Sequence, residues 1–245
     1  MKTLRPEKIQ SRHQFLAWYH VASLGQTLQQ REARFLHNNL NQAYNQRILQ
    51  IGRLGAETRY VDPEITDRFV LIDKQGPRNL PIFVQACAGK LPIASESVDT
   101  IILPHVLEFV ADRHQVLRES ERVLKPEGRL LILGLNPWCP LRLVALSQRS
   151  LGFWRSSLIA PQTVLDWLSL LRFDAELEVR FGEEGDSRCR TTPSSFQQMI
   201  AMGYAIQAIK RNYTLIPLDS EWARLRRLVG SRLGEAAPQL NRMPR

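Results

Sequence analysis

Five short apolar runs divide the chain between residues 47 and 133, and each stops at a residue that ends a strand. They lie at 47–51, 69–72, 82–86, 98–103 and 129–133. Their apolar residues are continuous and do not alternate with polar ones, which is typical of strands covered on both faces of a sheet. The clearest helical pattern lies between the fourth and fifth runs. This succession predicts an α/β fold with an open, mostly parallel, doubly wound sheet.

Helical signals also precede and follow these runs. Residues 12–46 carry apolar side chains at helical spacing, which predicts two helices before the first strand. Asp112, with Gln115 three residues later, predicts a helix that starts with a capping box. We expect that helix to stop before residues 126–128, which read Pro-Glu-Gly, and another helix to begin at Pro161.

Two further strands are expected in the last third of the chain. Residues 173–181 alternate strictly between apolar and charged side chains, the period of a strand with one face in water. That strand is therefore expected near an edge of the sheet, and residues 204–209 predict the last strand. Ligands of such sheets bind at the carboxyl ends of the strands, so the loops after the five runs are where a site is expected.

Composition excludes several classes of site. The three cysteines, Cys87, Cys139 and Cys189, are dispersed and the five histidines show no metal-ligand spacing, so neither a disulfide framework nor a metal is expected. We find no signal-peptide core and no run near the roughly 18 apolar residues that span a bilayer, so we expect a cytoplasmic protein without a transmembrane segment. A serine-nucleophile elbow, a phosphate-binding lysine loop and a nicotinamide-binding glycine motif are absent.

Four phrases in the middle of the chain resemble one family. They lie at 91–93, 97–99, 104–108 and 123–130. In order and spacing they are similar to class I methyltransferases that depend on S-adenosylmethionine (SAM), and within that class to the branch of ubiquinone and menaquinone methylases. Residues 134–137 and 166–171 further resemble a bacterial subgroup of such proteins whose substrate is not established.

The resemblance implies a Rossmann-like methyltransferase fold with seven strands in the order 3-2-1-4-5-7-6, the last of them antiparallel. That order puts strand six at the edge, where the alternation of residues 173–181 places it independently. The implied organisation is a methyltransferase domain at 47–218, N-terminal helices covering the pocket at 1–46 and a basic tail at 219–245. SAM is the implied cofactor, and a small molecule is the implied acceptor.

The resemblance also implies a set of cofactor-binding residues. They are Gly52, Gly55, Asp73, Cys87, Ala88 and Leu103. The glycines would let the backbone approach the methionyl part of SAM. Asp73, 21 residues after Gly52, would accept hydrogen bonds from the ribose hydroxyls. The alternative interpretation is that the glycines form a tight turn and Asp73 ends a strand, and that neither binds a ligand. The residue types would be the same.

The glycine-rich loop departs from the family pattern. Gln50 stands where relatives have the acid that supports the ammonium side of the cofactor, and Leu54 and Ala56 stand where they have glycine. Cys87 takes the place of the acid that binds the adenine amino group, and because a thiol accepts hydrogen bonds poorly, adenine would rely on the backbone around Ala88. These departures motivate a second hypothesis, a methyltransferase-fold protein that has lost catalysis and serves as a binding or regulatory module.

His105 follows the fourth strand and is the candidate catalytic base. Methyl transfer needs a protein base only where the acceptor must lose a proton, and an ordinary histidine titrates near neutral pH. A packing or loop-capping role is the alternative for His105, and Glu108 is interpreted as a structural carboxylate at the start of a helix. Trp138, after the fifth strand, and Trp154 are either substrate contacts or core tryptophans.

The net charge of +9 is concentrated near the carboxyl terminus, where residues 210–245 contain eight basic and three acidic side chains. Such a tail can bind the phosphates of a nucleic acid or an anionic membrane surface, or remain a solvated end. It motivates a third hypothesis, an RNA methyltransferase. The sequence identifies neither the acceptor atom nor the oligomeric state.

Overall fold

The computed structural model describes residues 6–40, 46–61, 69–74, 83–144, 152–154, 158–182, 186–188 and 201–211. All of them belong to the first of two units into which the chain divides, Met1–Asn212. The second unit, Tyr213–Arg245, and with it the basic tail, lies outside the described residues. The domain boundaries inferred from the sequence therefore stay predictions.

The described helices follow the sequence patterns. They are α1 (Pro6–Val21), α2 (Ser23–Leu40), α3 (Val106–Phe109), α4 (Arg113–Val123), α5 (Leu141–Val144) and α6 (Pro161–Leu170), with a one-turn 3₁₀ helix at Glu57–Arg59. The two helices expected before the first strand are α1 and α2. Asp112 caps α4, since its side chain accepts a hydrogen bond from the Gln115 N–H at 3.0 Å, and Pro161 opens α6.

The strands form one mixed sheet. They are β1 (Ile48–Ile51), β2 (Phe69–Asp73), β3 (Phe83–Gln85), β4 (Val98–Pro104), β5 (Leu124–Leu135), β6 (Phe173–Phe181), β7 (Asp186–Arg188) and β8 (Gly203–Lys210). Their spatial order is β3-β2-β1-β4-β5-β8-β6-β7. The pairs from β3 to β5 are parallel, and β8 runs antiparallel between β5 and β6.

This order confirms the expected 3-2-1-4-5-7-6 arrangement, because β8 is the seventh strand of that scheme. The structure adds one short strand, β7, which pairs with β6 at the outer edge and has no counterpart in the scheme. The strand with alternating side chains, β6, therefore lies next to the edge strand.

Helices cover both faces of the sheet, which explains the continuous apolar runs. Ile48 and Ile102 pack in a core cluster with residues of α1 and α2. Their neighbours along the strands, Leu49 and Ile101, pack in a second cluster with residues of α4 and α6. Successive side chains of a strand point to opposite faces, so both sets must be apolar when both faces are buried.

Helix α4 ends at Val123, before residues 126–128 as expected, but strand β5 begins directly after it at Leu124 and not at residue 129. Residues 126–128 interrupt the pairing of β5 with β4 through a register shift. Leu124 pairs with Val98, and the next paired residue of β5, Arg129, lies opposite Thr100. The intervening residues form a bulge in which Glu127 has a φ of 59°. The Pro-Glu-Gly signal therefore predicted the end of the helix correctly, and the strand expected from residue 129 begins five residues earlier.

Candidate functional site

The turn after β1 opens the candidate site at the carboxyl edge of the sheet. Gly52 and Gly55 have φ values of 92° and 84°, a left-handed conformation that favours glycine. The Gly52 N–H donates to the Ile72 carbonyl at 2.7 Å, which ties the turn to the end of β2. A Cβ atom on Gly52 would lie 2.5 Å from Cγ2 of Val106, so both the backbone and the packing require glycine here.

Asp73 ends β2 beside this turn, and four donors from the described part of the chain hold its carboxylate. Its side chain is 4% exposed, and it accepts the backbone N–H groups of Arg53 at 2.8 Å and Lys74 at 2.6 Å. Arg12 of α1 donates to both carboxylate oxygens, with Nη1 3.0 Å from Oδ1. The structure therefore places the predicted ribose acceptor next to the predicted glycine turn and pairs it with a cation from the first helix.

Glu57, in the 3₁₀ helix, holds the turn from the other side. Its Oε1 accepts the N–H groups of Leu54 at 2.7 Å and Gly55 at 3.0 Å, together with Nε2 of Gln50 at 3.2 Å. The amide oxygen of Gln50 accepts the Tyr60 hydroxyl at 2.7 Å. A carboxylate thus reaches the position next to Gln50, where the sequence lacks the acid of the family pattern.

Helix α1 lies across this edge and contacts the turn. The His20 Nε2–H donates to the Leu54 carbonyl at 2.7 Å, and Arg12 donates to the Arg53 carbonyl at 3.1 Å. Between them Phe15 is buried, with its ring centroid 4.7 Å from that of His105 and 5.4 Å from that of Phe109. The first helix therefore spans the ends of β1, β2 and β4.

His105 follows β4 and lies in a buried cluster of charged groups. Its φ is 52°, and its Nε2 is 3.0 Å from Oε1 of Glu32, whose Oε2 accepts the Tyr19 hydroxyl at 2.7 Å. Its Nδ1 is 3.8 Å from Oε1 of Glu108, an ion-pair distance. That same oxygen of Glu108 accepts the Leu135 N–H at 2.8 Å. The cluster links α1, α2, β4, α3 and β5.

The charge of this cluster favours a protonated imidazole. Burial by itself lowers the pKa of His105, but the carboxylates of Glu32 and Glu108 outweigh it and raise that pKa from 6.5 to about 10. Burial and the charge of Glu32 raise the pKa of Tyr19 well above its ordinary value. A general base needs a neutral ring, so the catalytic role of His105 stays a prediction that this paired state does not favour.

The other predicted cofactor residues differ in how they are presented. Cys87 is exposed, Ala88 is half-buried, and the loop is pinned by Gln115 of α4, whose Nε2 donates to the Gly89 carbonyl at 3.3 Å. Leu103 is fully buried and packs in the second core cluster. The structure thus brings Cys87 and Ala88 to the surface of the same edge, and Leu103 reaches it only through its backbone.

The two candidate tryptophans differ in their exposure to solvent. Trp138, in the turn after β5, is 67% exposed, and its backbone N–H donates to Oδ1 of Asn136 at 3.2 Å. Trp154 is fully buried, and its ring centroid lies 5.4 Å from that of Phe153 and 5.8 Å from that of Trp18. Trp138 is therefore available to a ligand, and Trp154 belongs to the aromatic core.

Sequence reasoning missed three residues of this edge, Arg12, Glu57 and Glu32. Each lies in a segment that was interpreted only for its secondary structure. Arg12 lies 61 residues from its partner Asp73, Glu57 lies 7 residues from Gln50, and Glu32 lies 73 residues from His105. Glu57 alone had a local signal, because an acid close to a degenerate glycine loop can accept the amides of that loop. Helical periodicity could not identify the partners of Arg12 and Glu32.

Comparisons with known proteins agree with this geometry. A family profile described as a methyltransferase domain matches residues 43–132. The uncharacterized protein YafS of Escherichia coli is 36% identical over 140 residues, 56% of this chain and 57% of that protein. The ubiquinone/menaquinone biosynthesis C-methyltransferase UbiE of Klebsiella pneumoniae is 38% identical over 90 residues, 34% of this chain and 36% of that protein.

Two solved structures share the fold. A SAM-dependent methyltransferase of Thermotoga maritima superposes with a TM-score of 0.55 at 14% identity, covering 81% of this chain and all of the other. The chain therefore has the Rossmann-like fold of class I methyltransferases. Geranyl diphosphate C-methyltransferase of Streptomyces coelicolor, in complex with S-adenosylhomocysteine, shares the fold of this domain with a TM-score of 0.51 at 15% identity over 74% of this chain and 78% of the other.

The chain matches only part of these two sequence relatives, since the matched segments span 57% and 36% of their lengths. Within the described residues, no helix combines the length and apolarity needed to cross a membrane. The same residues contain no group of three or more histidine, cysteine, aspartate or glutamate side chains placed to hold a metal ion.

Proposed function

We propose that this chain transfers the methyl group of SAM to a small-molecule acceptor. The observation that carries the proposal is Asp73, whose carboxylate ends β2 beside the left-handed turn at Gly52 and Gly55. A carboxylate at that place in a doubly wound sheet is suited to accept hydrogen bonds from the hydroxyls of a ribose. The methyltransferase-domain profile matches residues 43–132, the segment that contains Asp73.

The residues present fit the cofactor at its ribose and on its methionyl side. Gly52 gives the turn the left-handed backbone that would face the cofactor, and Glu57 places a carboxylate beside Gln50, where the ammonium group would lie. Cys87 and Ala88 would meet the adenine through their exposed loop. Bound SAM supplies a methyl group on a sulfonium, an already activated carbon, so the protein must align the acceptor, exclude water and accept a proton where one is released.

Helix α1 covers the carboxyl edge of the sheet, and this covering supports the proposal of a small acceptor. Phe15 and Tyr19 of α1 pack over His105 with ring centroids 4.7 and 6.0 Å from the imidazole. An acceptor that reaches the end of β4 must therefore enter beneath or beside α1, a path that suits a small, partly apolar molecule. The exposed indole of Trp138 lies after the neighbouring strand and would stack on such a molecule as it enters.

Calorimetric titration with SAM and with S-adenosylhomocysteine tests the proposal. We expect micromolar binding by the unaltered chain and, for Asp73→Ala, binding weaker by about tenfold or more, the size of a lost hydrogen bond to a charged group. Asp99→Ala is the matched control. Asp99 pairs with Lys125 at 2.7 Å, but it lies at the amino end of β4, on the opposite edge of the sheet.

A folded chain that binds neither ligand at millimolar concentration would overturn the enzyme proposal and leave the non-catalytic binding module as the function to test. Equal losses in Asp73→Ala and Asp99→Ala would show that the effect of Asp73 is structural. The nucleic-acid hypothesis depends on the basic tail, which lies outside the described residues, and it stays a prediction with its own test below.

A further inference from the structure

The carboxylate of Asp73 has no free acceptor position in this structure. A carboxylate offers about four lone-pair sites, and four donors from the described residues occupy them. Oδ1 accepts from Arg12 Nη1 and from the Lys74 N–H, and Oδ2 accepts from Arg12 Nη2 and from the Arg53 N–H. A ribose that binds Asp73 through its hydroxyls must therefore displace one of these donors.

Arg12 is the donor that can leave. The two backbone N–H groups belong to the turn after β1 and to the end of β2, and their positions are fixed by the strands. The Arg12 side chain is 28% exposed and reaches Asp73 from a different element, helix α1. Its long flexible chain can turn into solvent without any change in the sheet.

The ion pair also ties α1 to the cofactor edge. Arg12 donates to the Arg53 carbonyl, and about two turns further along the helix His20 donates to the carbonyl of the next residue, Leu54. The two ties lie about 12 Å apart along the helix axis. Two hydrogen bonds therefore hold helix α1 on the turn whose backbone the cofactor would approach. Release of Arg12 breaks one of them, together with the ion pair to Asp73.

We propose that Arg12 is an internal competitor of the cofactor. In this state α1 is a strap that closes the edge by placing a guanidinium on Asp73, and a ribose-bearing ligand binds by displacing that guanidinium and loosening the strap. The inference rests on the proposed function, since it takes Asp73 to be the ribose acceptor. The proposal predicts that removal of Arg12 raises the affinity for a ribose-bearing ligand, whereas removal of a ligand-binding residue would lower it.

The test compares Arg12→Gln with Arg34→Gln by titration with S-adenosylhomocysteine. Arg34 is an exposed cation of helix α2, so its substitution removes the same charge without removing a donor to Asp73. We expect Arg12→Gln to bind about tenfold more tightly than the unaltered chain, a gain of about 1.4 kcal/mol, and Arg34→Gln to bind as the unaltered chain does. Arg12→Lys keeps the charge but loses the bidentate fork, and its affinity should fall between the two.

Two further measurements separate competition at Asp73 from other effects. Methylthioadenosine carries the ribose without the amino-acid part, so Arg12→Gln should tighten its binding by the same factor. The double variant Arg12→Gln with Asp73→Asn should show no gain over Asp73→Asn alone. Hydrogen exchange in residues 6–21 should accelerate when S-adenosylhomocysteine is added to the unaltered chain, and in Arg12→Gln without any ligand.

The outcomes distinguish this proposal from the proposed function. Equal or weaker binding by Arg12→Gln, in a chain that does bind S-adenosylhomocysteine, would overturn the strap and leave the methyltransferase proposal intact. No binding of any adenosyl ligand by any of these folded variants would overturn both, because Asp73 would then accept no ribose.

Discussion

Replacement of His105 by glutamine tests the buried charge cluster at the end of β4. The imidazole lies 3.0 Å from Glu32 and 3.8 Å from Glu108, and both of its partners are as buried as the ring itself. Glutamine has a similar length and can donate one hydrogen bond, but it carries no charge. The variant therefore leaves two carboxylates in the interior without a cation, an arrangement that costs about 3–5 kcal/mol when a buried pair loses one partner.

The free energy of unfolding depends on pH because the pKa of His105 is raised from 6.5 to about 10. A group whose pKa is higher in the folded state stabilises that state fully below its unfolded value, and this contribution is lost as the pH rises through the folded value. The linkage relation gives about 4 kcal/mol at pH 7 and about 1 kcal/mol at pH 9. The free energy of unfolding of the unaltered chain should therefore fall by about 2–3 kcal/mol over this interval because of His105.

Urea unfolding at pH 7, 8 and 9 measures this fall, which corresponds to roughly 1 M in the midpoint. His105→Gln should be less stable at pH 7 and should lack the His105 share of the slope. His114→Gln, at an exposed histidine whose ring packs on Trp167, should keep the slope of the unaltered chain. Equal slopes in the unaltered chain and His105→Gln would refute the reasoning, and so would a histidine Cε1 NMR signal showing that His105 loses its proton near pH 6.5.

Three further predictions concern the turn and the tail. Gly52→Ala should lower the free energy of unfolding by about 1–3 kcal/mol, because the φ of Gly52 is 92° and the added Cβ would meet Val106. Thermal unfolding measures this loss. The control Gly89→Ala should lose much less stability, because its Cβ would meet the flexible side chain of Gln115 at 3.3 Å. Glu57→Ala should cost about 1–3 kcal/mol, because the Leu54 and Gly55 N–H groups lose their acceptor, and unchanged urea stability together with unchanged S-adenosylhomocysteine affinity would contradict this role. If the tail binds RNA, fluorescence anisotropy should show binding that weakens steeply between 50 and 200 mM salt and disappears on deletion of residues 219–245; absence of RNA binding at either salt concentration would reject the nucleic-acid hypothesis.

The backbone of the candidate site could be predicted from local sequence. Gly52 and Asp73 each follow a buried apolar run, and the carboxyl ends of parallel strands meet at one edge. Strand periodicity also places β6 next to the edge, because charged side chains on alternate residues require a face in water. These inferences succeed because each depends on residues that are neighbours along the chain.

The partners of those residues could not be predicted in the same way. The contacts between Arg12 and Asp73, and between Glu32 and His105, join positions 61 and 73 residues apart. A helical pattern shows which face is apolar, but not which polar side chain on it will meet a carboxylate from the sheet. The protonated state of His105 depends on both Glu32 and Glu108, so an ordinary histidine pKa was the wrong starting point for assigning a base.

The sequence by itself determined the doubly wound sheet and the edge where a ligand is expected, because apolar periodicity and turn residues encode local structure directly. The strand order came from the resemblance to class I methyltransferases. Only the tertiary structure decided the charge state of that edge. Packing of α1 and α2 against the strand ends brings a guanidinium to Asp73 and a carboxylate to His105, and interactions between buried charges depend on distance and desolvation, which separation along the chain does not reveal.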